Sequence, residues 1–172
     1  MSQFCTKTDE YGPFMHDPRI DSYDRAILSA LHRDGAMTNA GLAEVVNLSA
    51  SQCSRRRAAL EAAGLIEGYA ARLNAARLGF GLRAVVRVNL KDHGKGADTD
   101  FARFLETAPQ VISAFSVSGD ADYILDIHVR DLEAFAEFIH TRLLPHPLVS
   151  QVRSEIVLKT LKDRRGLDLS AE

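Results

Sequence analysis

The stretch from Thr38 to Leu65 reads TNAGLAEVVNLSASQCSRRRAALEAAGL: a helix, a tight turn, and a second helix carrying three consecutive arginines. Thr38 stands where an N-cap belongs, ahead of Leu42, Val45 and Val46, whose three- and four-residue spacing predicts one apolar helical face. This first helix is expected to stop near Asn47. Ser49 then caps the next one, and Gln52 completes a Ser-x-x-Gln capping box in which each side chain satisfies the other residue's free amide. Gly64 is the expected stop, because a glycine just past the last turn accepts the left-handed conformation. The 100° step along the second helix puts Gln52, Arg55, Arg56 and Ala59 on one side and Cys53, Arg57 and Leu60 toward the other. Thr38, Ser49, Ser51, Gln52, Ser54, Arg55 and Arg56 are therefore the candidate DNA-binding residues. Hydroxyl, amide and guanidinium groups bond base edges and phosphate oxygens, and the N-terminal turns of such a helix enter the major groove. An arginine-rich face alone is equally a solvated surface; the helix-turn-helix spacing is what points to DNA.

Upstream, residues 1–19 mix Gly12, Pro13, Pro18 and charges without periodicity and read as an N-terminal tail. Asp21 can cap a first helix, with Asp24 in its first turn and Tyr23, Ile27, Leu28 and Leu31 as its apolar stripe up to Gly35. Three helices thus form a small bundle. Downstream, Leu65–Tyr69 and Ala71–Leu73 suggest short strands or a wing, and Leu78-Gly79-Phe80-Gly81 a flexible seam. Leu82, Ala84, Val86, Val88 and Leu90 then alternate with Arg83, Arg87 and Asn89, as in a half-buried strand, until His93-Gly94-Lys95-Gly96 breaks the pattern. Phe101, Phe104, Leu105 and Ala108 repeat at helical spacing before Pro109. Val111–Val117 predicts a strand, Gly119–Asp122 a turn, and Tyr123, Leu125, Ile127 and Val129 a second alternating strand. Leu132, Phe135, Ile139 and Leu143 mark another helix before Pro145 and Pro147, and the last strand is expected from about Val149 to Leu161. The order β-α-β-β-α-β predicts a ferredoxin-like sandwich, giving an α+β chain. The expected domains are 20–80, helix-turn-helix with its linker, and 81–162, ferredoxin-like, followed by a C-terminal tail over 163–172.

A chain of 172 residues, 46% hydrophobic, suits one medium domain or two small ones. Its formal net charge of −2 excludes a uniformly basic coat, so DNA affinity must come from a local patch and from a second copy of it. Cys5 and Cys53 fit neither a disulfide framework nor a zinc pattern, which implies a reducing, cytoplasmic setting. No apolar run approaches the ~18 residues of a membrane span, and the N-terminus lacks the apolar core of a signal peptide, so no membrane partner is expected. His16, His32, His93, His128, His140 and His146 show no metal-ligand pairing. Gly94 and Gly96 lack the third glycine of a dinucleotide loop and the Gly-Lys-Ser/Thr run of a P-loop, so neither metal nor cofactor is expected. The Gly119-Asp120-Ala121-Asp122 turn offers two carboxylates and exposed backbone amides, which could hold an α-amino and an α-carboxylate group; equally, Gly and Asp simply form hairpins.

These residues resemble the leucine-responsive regulatory protein family, Lrp/AsnC, over essentially Ile20 to Lys162. The matches are collinear: Asp21-x-x-Asp24-x-x-Ile27-Leu28-x-x-Leu31, Leu42-Ala43 with Val45 or Val46, Leu48-Ser49 into the arginine helix, and Leu60-Glu61-x-x-Gly64-x-Ile66-x-Gly68-Tyr69. Leu78-Gly79, Gly119-x-x-Asp122-Tyr123 and Ile156-Val157-Leu158 follow. The resemblance implies a DNA-binding domain followed by a ferredoxin-like domain that dimerises, often assembles further into octamers, and senses a small molecule, commonly an amino acid. It implies an effector site at Gly119, Asp120 and Asp122, with Ser154 of the last strand nearby. Cys53 and Arg57 occupy positions where the family usually has aliphatic residues, so Arg57 is expected to lay its methylenes over the bundle; Leu148 stands where a glycine is common. The implied role is a non-enzymatic transcriptional regulator. Two alternatives share this scaffold: a siroheme-decarboxylase-like enzyme, which would take up a tetrapyrrole and change colour, and a ligand-sensing oligomer that no longer binds DNA.

Overall fold

The computed structural model describes residues 20–91, 94 and 96–162. The two expected tails, and His93 and Lys95 of the expected break, lie outside the described residues. The chain divides into two compact units between Ala71 and Arg72.

In the first unit, α1 spans Ser22–Arg33, α2 Asn39–Val46 and α3 Ala50–Ala62. The start of α1 is fixed by a reciprocal capping box: Asp24 N donates to Asp21 Oδ1 at 2.8 Å and Asp21 N to Asp24 Oδ2 at 3.2 Å. The hydrogen bond from the Asp24 amide, with the Arg56 guanidinium beside it, holds the Asp21 carboxyl below the usual carboxylate range. Ile27, Ala30, Leu31, Leu42, Val46, Cys53 and Leu60 form the core. Cys53 fits there as a small hydrophobe, fully buried.

Two residues expected in apolar faces lie outside. Val45 is 51% exposed and Tyr23 43%. Val45 and Val46 stand 100° apart, so only one can share the side of Leu42, and Val46, four places on, takes it. Residues 65–73 form no strand. Instead, Gly64 at φ +71° turns the chain so that the amides of Leu65 and Ile66 return to the Leu60 carbonyl at 3.0 and 3.3 Å. Leu65 and Ile66 then pack on the core, closing the end of α3 rather than pairing into a ladder.

In the second unit, β1 is Leu82–Leu90, α4 Ala97–Glu106, β2 Val111–Ser116, β3 Tyr123–Val129, α5 Leu132–Phe138 and β4 Val149–Ile156. A three-residue 3-10 turn, Ala76–Leu78, precedes β1, and α5 runs on into a π turn, Ile139–Leu143. The sheet order is β2-β3-β1-β4, antiparallel throughout, the arrangement expected of a βαββαβ sandwich. Alternation does the sorting: Ala84, Val86, Val88 and Leu90 meet Leu125 and Ile127 on one face, beneath Phe101, Phe135 and Phe138 of the helices. Each of these side chains larger than alanine contributes ~1.5–3 kcal/mol by leaving water.

The last strand stops at Ile156, short of the expected Leu161. Ile156 pairs with Ala84, near the start of β1, and the Val157 amide reaches Arg83 O at 2.9 Å. Beyond that point β1 offers no further partner, and Leu158 is 95% exposed. Leu148, where the resemblance leads one to expect a glycine, has no positive φ; its carbonyl accepts from Lys91 N at 2.8 Å while its side chain packs on the core.

Candidate functional site

The helix-turn-helix is held by caps at both ends of its turn. Thr38 Oγ1 accepts from Gly41 N at 3.1 Å, and α2 ends at Asn47 in the left-handed conformation. Ser49 N donates to Gln52 Oε1 at 3.0 Å, and Gln52 N donates to Ser49 Oγ at 3.2 Å. The Ser49 hydroxyl also reaches Gln52 Oε1 at 2.9 Å and lies 3.1 Å from Ser51 Oγ. Thr38 thus has its oxygen engaged in capping α2, and Ser49 and Gln52 have theirs engaged in setting the entry of α3. Ser51, Ser54 and Arg55 are exposed, and among the described residues the side chains of Ser54 and Arg55 have no hydrogen-bond or ion-pair partner.

The three arginines divide sharply in role. Arg56 is drawn back to α1: its Nη1 lies 2.8 Å from both Asp21 Oδ2 and Asp24 Oδ1, and its guanidinium sits 5.4 Å from the Tyr23 ring centroid. Asp24 is largely covered, so this pair is less screened than a surface bridge. Arg57 ties α3 to the chain on either side. Its Nη1 donates to Met37 O at 3.2 Å, its Nε to Tyr69 Oη at 2.8 Å and to Glu61 Oε1 at 3.2 Å, and its guanidinium stacks 4.4 Å from the centre of the Tyr69 ring. Tyr69 Oη closes the triangle by donating to Glu61 at 2.8 Å. Arg57 therefore does more than cover the bundle with methylenes. The clamp was hidden because Met37 lies in a separate stretch, and the run that holds Glu61 and Tyr69 does not record that both close on Arg57; the carboxylates at the start of α1 were the one available hint for Arg56.

At the other candidate site, the β2–β3 turn docks against the end of β1. Asp122 N donates to Val88 O at 3.1 Å, and Leu90 N donates to Asp122 Oδ2 at 2.7 Å. Asn89 Nδ2 donates to the Asp120 carbonyl at 2.8 Å. Gly119 sits at φ +136°, a conformation L side chains rarely adopt, with nothing inside the chain near a notional Cβ. One Asp122 oxygen is thus already engaged in holding the turn, while the Asp120 carboxylate faces solvent. Ser154 pairs with Val86 on β4, on the other side of β1 from the turn. One chain brings Gly119, Asp120 and Asp122 together and does not bring Ser154 to them.

Against known proteins, residues 20–67 match a winged helix-turn-helix DNA-binding model and residues 83–167 the Lrp/AsnC ligand binding domain. The chain is 38% identical to the leucine-responsive regulatory protein of Rhizobium meliloti, covering 84% of this chain and 92% of that one. It is 32% identical to the HTH-type transcriptional regulator AldR of Mycolicibacterium smegmatis, covering 83% and 84%. Among solved structures, a Neisseria meningitidis transcriptional regulator in complex with L-Met superposes with a TM-score of 0.84 at 39% identity, covering 87% of this chain and 97% of that one.

Proposed function

Because the chain belongs to the Lrp/AsnC family of transcriptional regulators, we propose that it reads DNA through the first turns of α3, with Arg55 as the leading cation and Ser51 and Ser54 beside it. The observation that carries this reading is the division among the arginines: Arg56 and Arg57 are held by the domain's own carboxylates and carbonyl, whereas Arg55 points out of it. Ser49 and Gln52 fix the start of α3 as Thr38 fixes that of α2, and Arg56 joins the interface only by leaving Asp21 and Asp24. Arg55→Ala should weaken binding while leaving both units folded. If the lost contact is to phosphate, the salt dependence falls by about one ion; if it is to guanine, ~1–3 kcal/mol is lost at one base position. Fluorescence anisotropy across a salt series on the protein's own upstream region measures both. Unchanged affinity and slope would remove Arg55 from the interface.

The small-molecule effector is an amino acid, on this reading, held at Gly119, Asp120 and Asp122. The Neisseria relative's L-Met complex supports that class. Asp120 supplies the open carboxylate for an ammonium group, and Asp122 keeps the turn in place. Ser154 would have to come from another copy. Gly119→Val forces a β-branched residue into φ +136°, a strain of ~1–3 kcal/mol confined to the turn. Its expected result is a reduced amino-acid-induced thermal shift, and loss of any amino-acid effect on DNA binding, before loss of folding; a variant responding like wild type would move the effector site elsewhere.

The working form we assign is a dimer through the second unit, with further assembly toward an octamer where effector turns meet. Support comes from the sheet face opposite α4 and α5, where Phe115, 57% exposed, stands beside Ile124 with Val85 of β1 on the same face. Pairing also doubles the reading helices, offsetting the weak net charge. Sedimentation of the full chain should give a dimer or a multiple of one, and a monomer at micromolar concentration would sink the assignment. Among the described residues no helix is long and apolar enough to cross a membrane. We place this regulator in the cytoplasm, where it meets DNA, and give it a non-enzymatic role.

A further inference from the structure

A half-open cleft of about 430 Å³ lies wholly within the second unit, between the 3-10 turn, the entry to β2, the end of β3 and α5. Leu78, Phe80 and Phe138 give it apolar walls, and the first two are large side chains left exposed. Thr141 and Arg142 in its lining donate to the Glu137 and Thr107 carbonyls, but others of its polar groups are unmatched. Arg130 and Glu137 both line the cleft, carry opposite charges, and have no side-chain hydrogen bond or ion pair among the described residues, not even with each other. Gln110, also in the lining, has its Oε1 buried with no donor. Buried polar atoms in folded chains nearly always find a partner, so an amide oxygen without one marks a place where a donor is missing.

These groups define a complement. Arg130 takes a carboxylate, Glu137 and the Gln110 oxygen take the N–H groups of an ammonium, and Leu78 and Phe80 cover an apolar body. We propose that this cleft is a second small-molecule site, for a zwitterion bearing an apolar side group, of which α-amino acids are the simplest kind. It is separate from the β2–β3 turn. The turn docks at Val88–Leu90, whereas the cleft lies by Arg130, whose carbonyl accepts from Gly81 N at 3.2 Å just before β1 begins. The two places are at opposite ends of β1, roughly 20 Å apart at ~3.3 Å per residue.

The test is equilibrium dialysis of the full chain with labelled L-leucine, L-methionine and L-phenylalanine, on wild type, Gly119→Val, Arg130→Gln and Glu137→Gln. The expected result is that Gly119→Val retains one class of site, and that Arg130→Gln and Glu137→Gln each weaken that class tenfold or more without changing the melting temperature. Both charges are exposed, so folding should survive their neutralisation. Wild-type binding by both charge variants would overturn the proposal, as would loss of all binding in Gly119→Val. Charge variants that alter sedimentation but not ligand binding would also overturn it, showing a partner copy in the cleft. If wild type binds only in the class removed by Gly119→Val, the turn reading stands and this one falls; if only in the class weakened by Arg130→Gln, the reverse holds.

Discussion

Leu42→Ala is expected to abolish specific DNA binding at physiological temperature while the second unit stays folded. Leu42 is fully buried in the first unit's core, in one cluster with Ile27 and Leu31 of α1 and Cys53 and Leu60 of α3. Removing such a side chain costs ~2–5 kcal/mol, the transfer loss plus the cavity left behind. A unit of about fifty residues holds only ~3–8 kcal/mol of stability in total, so the loss is comparable to everything that keeps α3 in place. The caps of α2 and α3 cannot compensate, since each contributes ~1 kcal/mol and none replaces contact between helices. Calorimetry should show two transitions in wild type, with the first displaced or absent in the variant and the second unmoved. A uniform shift of both would mean that the units do not melt separately.

What could be read in the sequence follows from how local the cause was. Caps are written within four residues: the Ser49–Gln52 box forms as its spacing implies, and Asp21 caps α1 as expected, with Asp24, read only as a first-turn acid, completing a second box. Strand alternation is equally local, so the five inward residues of β1 were legible from Leu82 to Leu90, and the βαββαβ order followed from them. Where the cause is tertiary the sequence was silent. The end of β4 depends on where β1 begins, seventy-two residues away in the chain by the pairing of Ala84 with Ile156, and nothing in the run from Val157 to Leu161 records that. Val45 and Val46 are identical letters, and only the angle to Leu42 separates them.

The candidate sites divide in the same way. An outward Arg55 is a matter of helical angle, and the angle was computable. Arg56 stands next to it and carries the same charge, but its guanidinium is drawn to carboxylates thirty-two and thirty-five residues upstream. Arg57 is tied to Met37 and Tyr69, twenty residues before it and twelve after. Charge in a sequence therefore overstates charge available at a surface: of three adjacent arginines, two are engaged within the domain. At the turn, Gly119 was legible as a hairpin former and the structure gives it a positive φ, whereas the engagement of Asp122 with Leu90 N required knowing that the hairpin folds back on β1. The cleft at Arg130 left no trace in the sequence, because its polar groups come from three segments and share no spacing.

Phe101→Ala is expected to lower the melting temperature of the second unit by ~12 °C or more and to loosen the β2–β3 turn with it. Phe101 is fully buried, with Phe104, Tyr123 and His146 around it at centroid distances of 5.8, 4.9 and 5.7 Å. Truncating a ring so placed costs ~3–5 kcal/mol, and each kcal/mol is worth ~4–8 °C in a domain of this size. The turn is affected through Tyr123, which follows Asp122 directly. Its ring rests on Phe101, and its hydroxyl donates to Asp98 Oδ1 at 2.6 Å; burial and the Asp98 carboxylate push the phenol's pKa up, so the donor keeps its proton across the working pH range. With Phe101 gone, that ring lies over a cavity, and the short link from α4 to the turn loses its packing while keeping one hydrogen bond. Hydrogen exchange at the Asp122 and Leu90 amides should therefore rise in the variant more than exchange at the β1–β4 ladder. Phe104→Ala is the control, because Phe104 is only half-buried and touches the same Phe101 from outside. Its effect should be smaller on both measures. An equal fall in melting temperature for the two variants, or exchange at Asp122 no faster than in wild type, would mean that the aromatic stack does not brace the turn.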